Sequence, residues 1–295
     1  MLSVIIPTYK DPYIQKTIDS VLKNAEGKIE VLAVMDGYTT DTPITSDKRV
    51  TIINLPENLG MRAAINAGLA KAKGKYVMKL DAHCVVAQGF DKTLIKDCAE
   101  NWLVIPRRYS LHEATWDKAS PVVDYHYLSF PENSDQSYGY SLQVAAWPQK
   151  RLDDILIDDV MTFQGSAWFT NRTYFMEHVG FLDDRLETYG TFAQDQQEIG
   201  LKYWLFDGEV KVNKKTWYAH LSKRGYHYAS TEYSRKHKKD RYHISGNNWG
   251  TKHWMNNEEA NMKHSFSWFV EKFWPIPTWP DNWQEIWENH LKETK

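Results

Sequence analysis

Asp81 and His83 stand at the end of an apolar run, KYVMKLDAHCVV, over residues 75–86. Residues i and i+2 of an extended backbone project to the same face, so both side chains reach one point while Ala82 turns away. A carboxylate beside an imidazole is a mixed oxygen and nitrogen donor pair suited to a divalent cation. The plain alternative is a strand running into a turn that carries a solvated Asp and an unrelated His. A second pair of polar residues has helical spacing. Asp195 and Glu198, at i and i+3, share one face of a helix that Ile199, Leu201 and Trp204 continue. Beside an acceptor hydroxyl such a carboxylate acts as a general base or orients the hydroxyl. The alternative is a pair of first-turn acids favoured by the helix dipole.

The elements that must position these residues alternate through the first hundred residues. Leu2–Ile6, Ile29–Met35, Val50–Ile53 and Tyr76–Leu80 read as strands, and Tyr13–Leu22 and Met61–Ala72 as helices. This β-α-β order predicts an α/β chain with a doubly wound, mostly parallel sheet and helices on both faces. Ligands on such sheets bind beyond the carboxyl ends of the strands. The polar punctuation lies there: Pro7-Thr8-Tyr9, Asp36-Gly37, Asn58-Leu59-Gly60 and Asp81-Ala82-His83. No GxGxxG or GxxxxGK[ST] pattern occurs, which argues against a dinucleotide fold or a P-loop.

Composition narrows the classes further. With 36 Lys and Arg against 38 Asp and Glu, the formal charge of -2 points to no polyanionic partner for the molecule as a whole. Cys84 and Cys98 lack CxxC spacing and read as reduced thiols. The amino terminus has no basic leader, and no segment approaches 18 apolar residues, so the expectation is a soluble, cytoplasmic protein. The 13 Trp and 17 Tyr suit stacking on sugars or bases, but equally a densely packed core.

SVIIPTYKD, VMDGYTTD and ENLGMRAAINAGLAKAKGKYVMKLDAHC, in that order over residues 2–90, resemble the amino-terminal half of a GT-A fold nucleotide-sugar glycosyltransferase of the family 2 type. In that family a strand-ending Asp-x-Asp holds a divalent cation on the donor diphosphate. Here the second position is His83, similar to the polypeptide N-acetylgalactosaminyltransferases, and the resemblance implies Mn2+ or Mg2+. It also implies donor contacts from Pro7, Thr8, Tyr9, Asp36, Arg62 and Lys79, in addition to Asp81. Met35 stands where the family carries the first Asp of its Asp-Asp-Gly-Ser turn. Downstream, FQGSAWFTNRTYFMEHVGFLDD resembles the segment that lines the sugar site, which places Gln164, Gly165 and Ser166 near the donor sugar. YGTFAQDQQEIGLKYW resembles the family's Trp-Gly-Gly-Glu-Asn-x-Glu stretch, with Asp195 in the acidic position and Glu198 after it. Tyr218-Ala219-His220 matches an element whose His is the third metal ligand, so the implied set is Asp81, His83 and His220.

Residues 1–222 are therefore expected to form the catalytic domain, with 1–105 as the nucleotide-sugar half and 106–222 as the acceptor and sugar half. Residues 106–150 read as an insertion or small hairpin layer without legible function. Residues 223–295 read as a basic and aromatic extension ending in a carboxy-terminal strap. Between Lys214 and His253 there are ten Lys or Arg residues against two acids, interleaved with Tyr and Trp through Trp254. Such a stretch clamps a diphosphate or follows a nucleic-acid backbone. The expected activity is metal-dependent transfer from a nucleotide sugar, most simply a UDP-sugar, to a hydroxyl of a glycan or small molecule. The alternatives are a phage-type enzyme modifying hydroxymethylated DNA bases and a binding module without catalysis. The Asp-x-His pattern resembles retaining transferases, the direction favoured here, whereas family 2 members usually invert with a carboxylate base in the position of Asp195. Membrane association is not expected, and the oligomeric state is not legible.

Overall fold

The first strand carries Val4 and Ile6 on one face and Ile5 on the other, and all three are fully buried. A parallel strand covered by helices on both sides reads as this kind of continuous apolar run. In the computed structural model, which describes residues 1–40, 43–150, 154–222 and 243–293, the amino-terminal half follows the expected alternation. It comprises β1 (Leu2–Thr8), α1 (Ile14–Asn24), β2 (Ile29–Met35), β3 (Val50–Asn54), α2 (Met61–Lys71), β4 (Tyr76–Leu80), β5 (Cys84–Val86) and α3 (Phe90–Asp97). There follow β6 (Trp102–His112), β7 (Asp117–Val123), β8 (His126–Ser129), β9 (Gln143–Ala146), β10 (Ile157–Asp159), β11 (Ala167–Asn171) and α4 (Arg172–His178). The described chain closes with α5 (Asp195–Leu205), β12 (Glu209–His220), α6 (Ile244–Met255), α7 (Phe266–Phe273) and α8 (Trp283–Glu293).

The main sheet runs β10-β12-β6-β11-β4-β1-β2-β3. The pairs β4/β1, β1/β2, β2/β3 and β12/β6 are parallel, while β11 is antiparallel to both neighbours. The expected mostly parallel α/β sheet is present at its centre, with β11 inserted antiparallel between β6 and β4, and with β5, β7 and β10 pairing antiparallel to β12, β6 and β12 respectively. One face of β1 and β2 packs on Ile14, Ile18 and Val21 of α1. The other meets Ile65 and Leu69 of α2 and runs on into α5. Burying each such aliphatic side chain contributes about 1.5–3 kcal/mol. Gly68 lets α2 approach closely, since a Cβ there would lie 2.3 Å from Ile5 Cγ2.

β6 begins at Trp102 and continues without a break through Pro106-Arg107-Arg108 to His112. Proline is tolerated because β12 is irregular opposite it: Asn213 pairs with Pro106 and Trp217 with Arg107, so residues 214–216 bulge out where a ladder donor is missing. β12 carries on through this bulge as one strand from Glu209 to His220. The segment 106–150 forms the β6/β7 hairpin and a separate antiparallel β8/β9 pair. Much of the aromatic excess is core. Phe266, Phe269, Trp279, Trp283 and Trp287 share the cluster that covers α5 and the sheet, and Trp279 Nε1 donates to Leu128 O at 2.6 Å. Among the described residues no helix is long and apolar enough to cross a membrane.

Candidate active site

β4 delivers Asp81 at the centre of the sheet, where its backbone N–H donates to Ser166 O at 2.9 Å. The turn that follows is clamped from α1: Thr17 Oγ1 donates to Ala82 O at 2.8 Å and accepts from Cys84 N at 2.9 Å. The antiparallel register of β12 on β5 sets His220 opposite Cys84, and Leu221 N donates to His83 O at 3.1 Å. Two strands distant in sequence thereby bring the imidazoles together, with ring centroids 4.7 Å apart. One potential ligand atom from each of Asp81, His83 and His220 lies within 4.8 Å of the others.

The donor chemistry of this cluster fits a divalent cation. His83 Nδ1 faces Asp11 Oδ2 at 2.8 Å, which leaves Nε2 as the ligand nitrogen and fixes the ring from behind, as carboxylate partners do for metal-binding histidines. His220 Nε2 lies 3.1 Å from Asp81 Oδ2, a separation compatible with two ligands of one ion. Burial alone would raise the Asp81 carboxyl, but the Lys79 ammonium and the His220 imidazole hold it well below the usual carboxylate range. Burial pushes His220 down to about 4, against the pull of Asp81, so its imidazole is neutral near pH 7.

Two cavities meet at Asp81, Gln164 and Arg108. The smaller, about 330 Å³, is lined by Pro7, Thr8, Tyr9 and Asp36 together with the three candidate ligands. The larger, about 630 Å³, is lined by Lys79, Gly165, Asp195 and a set of amide side chains that includes Gln143, Gln196 and Gln197. Lys79 Nζ bridges Asp81 Oδ1 at 2.5 Å and Gly165 O at 2.6 Å, tying the end of β4 to the 164–166 turn. The turn lies close against α5: a Cβ at Gly165 would sit 3.1 Å from Gln196 Oε1 and 3.2 Å from Asp195 Oδ2. Asp195 is buried, and burial raises its carboxyl above the ordinary value. Among the described residues it makes no ion pair.

Asp36 lies in the cavity where the sequence reading expects it, while Arg62 and Glu198 lie away from both cavities. Asp36 borders the smaller cavity, but both of its oxygens are engaged in bracing the next loop: Oδ1 accepts from Leu59 N, and Oδ2 from Asn58 Nδ2 and Gly60 N. Arg62 and Glu198 reach neither cavity. Their side chains, 0% and 1% exposed, pair with each other, and Arg62 also donates to Ala193 O and Asp183 O. Helical spacing did put Asp195 and Glu198 on neighbouring positions, but only the first faces the cleft. Lys202 neutralises Glu198 from its other side at 2.9 Å.

Sequence reasoning missed Asp11, Arg108, His126 and the amide wall. Arg108 and Tyr218 are register neighbours on β6 and β12, and His220 follows Tyr218 by two, so all three point to the metal side of the sheet. Arg107 points the other way, to Asp124, with contacts at 2.7–3.2 Å. Of the basic block from Lys214 to Trp254, residues 223–242 lie outside the described residues. At its start, Lys214 is buried with its ammonium 2.8 Å from Tyr125 Oη, and Lys215 pairs with Asp97 at 3.2 Å.

Residues 3–179 match the family described as glycosyl transferase family 2. Glycosyltransferase GlyG of Streptococcus pneumoniae serotype 4 is 24% identical over 183 residues, which are 60% of this chain and 54% of the relative. Polypeptide N-acetylgalactosaminyltransferase 6 of Bos taurus is 25% identical over 225 residues, 71% of this chain and 35% of the relative. The chain thus spans about half the length of these relatives or less. The crystal structure of GalNAc-T7 with UDP, GalNAc and Mn2+ superposes with a TM-score of 0.61 at 17% identity, over 92% of this chain and 54% of that one. That likeness is one of fold. With the family match extending over more than half of its residues, this chain belongs to glycosyl transferase family 2.

Proposed function

We propose that the protein transfers a sugar from a UDP-sugar to a hydroxyl of a saccharide acceptor, with Mn2+ held by Asp81, His83 and His220. The observation that carries this reading is the position of the three ligands at the junction of two cavities, with Asp81 lining both. A donor whose diphosphate lies at that junction puts its nucleotide beside Pro7, Thr8 and Tyr9 and its sugar beside Gln164, Gly165 and Asp195. The presence of UDP, GalNAc and Mn2+ in the GalNAc-T7 crystal supports the same choice of donor class and ion. When bound, the cation neutralises charge on the diphosphate leaving group.

The chain's own residues supply the rest. Lys79 holds Asp81 in place and balances its charge. Asp195 is the carboxylate in the larger cavity that no described cation neutralises by direct pairing, so it accepts the acceptor's hydroxyl hydrogen and takes the proton. The amide wall favours a neutral polyhydroxylated acceptor, because amides both donate to and accept from hydroxyls. Gln194 and Gln197 each keep a buried carbonyl oxygen without a partner there. A general base working in line with the departing diphosphate inverts the anomeric centre, and the position of Asp195 supports that outcome over retention.

Calorimetric titration with UDP-sugars and GDP-sugars in Mn2+ tests the donor assignment. UDP-selective binding is expected; binding of neither class would end the nucleotide-sugar reading and leave a family member without this activity. A DNA acceptor rests on residues 223–242, outside the described part. Binding of duplex DNA that falls steeply with salt would favour it, since phosphate contacts carry that signature.

A further inference from the structure

We propose that Arg108 is a second cationic contact for the donor diphosphate and takes up its charge as the nucleotide leaves. This rests on the nucleotide-sugar reading and adds to it a residue outside the metal cluster. Arg108 lies on β6, in the stretch after Pro106, and lines both cavities at their junction with Asp81. Its Nε is buried and has no hydrogen-bond partner. Among the described residues no carboxylate or carbonyl accepts from any of its nitrogens. The contrast with its neighbour is informative: Arg107 is matched by both oxygens of Asp124.

A buried Nε–H without an acceptor costs stability, and Arg108, half-buried where the two cavities meet, carries its charge with no carboxylate of the described residues beside it, so its retention calls for an anion present only in a bound state. The other charged groups at the junction do not answer that need. Asp81 is engaged by Lys79 and His220, and no pairing of Asp195 with Arg108 occurs. The planar donor fork of arginine suits two phosphate oxygens at once. As transfer proceeds, the bond from the anomeric carbon to the β-phosphate oxygen breaks and its electron pair stays on that oxygen. The acceptor oxygen supplies the pair for the new bond, and its proton passes to Asp195. Arg108 donates hydrogen bonds to the phosphate oxygens on which the charge accumulates. It contributes more as the bond lengthens, which is the condition for raising kcat.

The test compares wild-type protein with Arg108→Gln and, as a control on the same strand, Arg107→Gln. Calorimetry with UDP, inorganic pyrophosphate and uridine in Mn2+ is joined to the melting temperature of the ligand-free protein. Arg108→Gln is expected to weaken UDP and pyrophosphate at least tenfold, leave uridine unchanged and leave the melting temperature equal or higher. Arg107→Gln is expected to lower the melting temperature, because it breaks an ion pair. Unchanged affinity of Arg108→Gln for UDP and pyrophosphate, or an equal loss for uridine, would overturn the role. Wild-type protein that binds neither UDP nor pyrophosphate would overturn the role together with the nucleotide-sugar reading.

Discussion

Asp11 Oδ2 lies 2.8 Å from His83 Nδ1 across 72 residues of sequence, and both side chains are buried. Asp11 Oδ1 also accepts from Tyr13 N at 2.9 Å in the turn that leads into α1, so the approach to the first helix and the turn after β4 share one carboxylate. Outer partners of metal-bound histidines fix ring orientation, and their loss costs roughly 10–100-fold in metal affinity. Asp11→Asn is therefore expected to weaken Mn2+ binding by about that factor while far-ultraviolet circular dichroism stays unchanged. An unaltered Mn2+ affinity by calorimetry would show that Asp11 serves α1 alone.

Removing the proposed proton acceptor separates chemistry from positioning. Asp195→Asn preserves shape and hydrogen bonding, so donor binding should survive while kcat falls about 10²–10⁴-fold. A loss of less than tenfold would reduce Asp195 to an orienting role. The product anomer, read by NMR, gives an independent answer: inversion agrees with a base at Asp195, and retention contradicts it.

Arg62 and Glu198 are a structural pin, not donor or acceptor ligands. The pair is fully buried, and Arg62 stacks over Tyr189 with its guanidinium carbon 4.1 Å from the ring centre. Breaking a buried pair by removing one member leaves an uncompensated charge and costs about 3–5 kcal/mol. Glu198→Gln should lower the urea midpoint accordingly. If it instead left stability intact and abolished only transfer, the catalytic assignment made from sequence would be restored.

His126 makes stability pH-dependent in a defined direction. Burial, with Arg108 nearby, pushes its imidazole from the ordinary 6.5 down to about 3. Between those values the unfolded chain binds a proton that the folded protein does not, so stability falls as pH drops through 6.5 and the loss is complete near 3. At pH 5 the expected loss is about 2 kcal/mol relative to neutral pH. His126→Gln should flatten that part of the profile in urea denaturation series at pH 7 and pH 5. Identical slopes in variant and wild type would exclude His126 as the source.

The donor half was legible because its signals are local. Continuous apolar strands, helices between them and polar residues at the strand ends place Pro7, Tyr9 and Asp81 near one another without tertiary information. His220 was found only through the family resemblance, since a lone His at a strand end carries no signal of its own. Asp11 and Arg108 escaped for different reasons. Asp11 acts through a contact made only when α1 packs against the turn after β4. Arg108 follows a proline, which reads as a turn until the bulge in β12 is known. Helical spacing places Glu198 at the acceptor and the resemblance places Arg62 at the donor, and neither signal tells whether a cavity or a partner 136 residues away lies in front of the side chain.

In the proposed function, donor use depends on a cation held by Asp81, His83 and His220. That dependence is tested most directly by measuring nucleoside diphosphate release from UDP-sugars, in Mn2+ and after chelation with EDTA, for wild-type protein and His83→Ala. The account predicts release in Mn2+, its loss in EDTA and recovery on adding Mn2+ back, with His83→Ala inactive at Mn2+ concentrations that saturate the wild type. Equal turnover in EDTA, or full activity of His83→Ala, would contradict it.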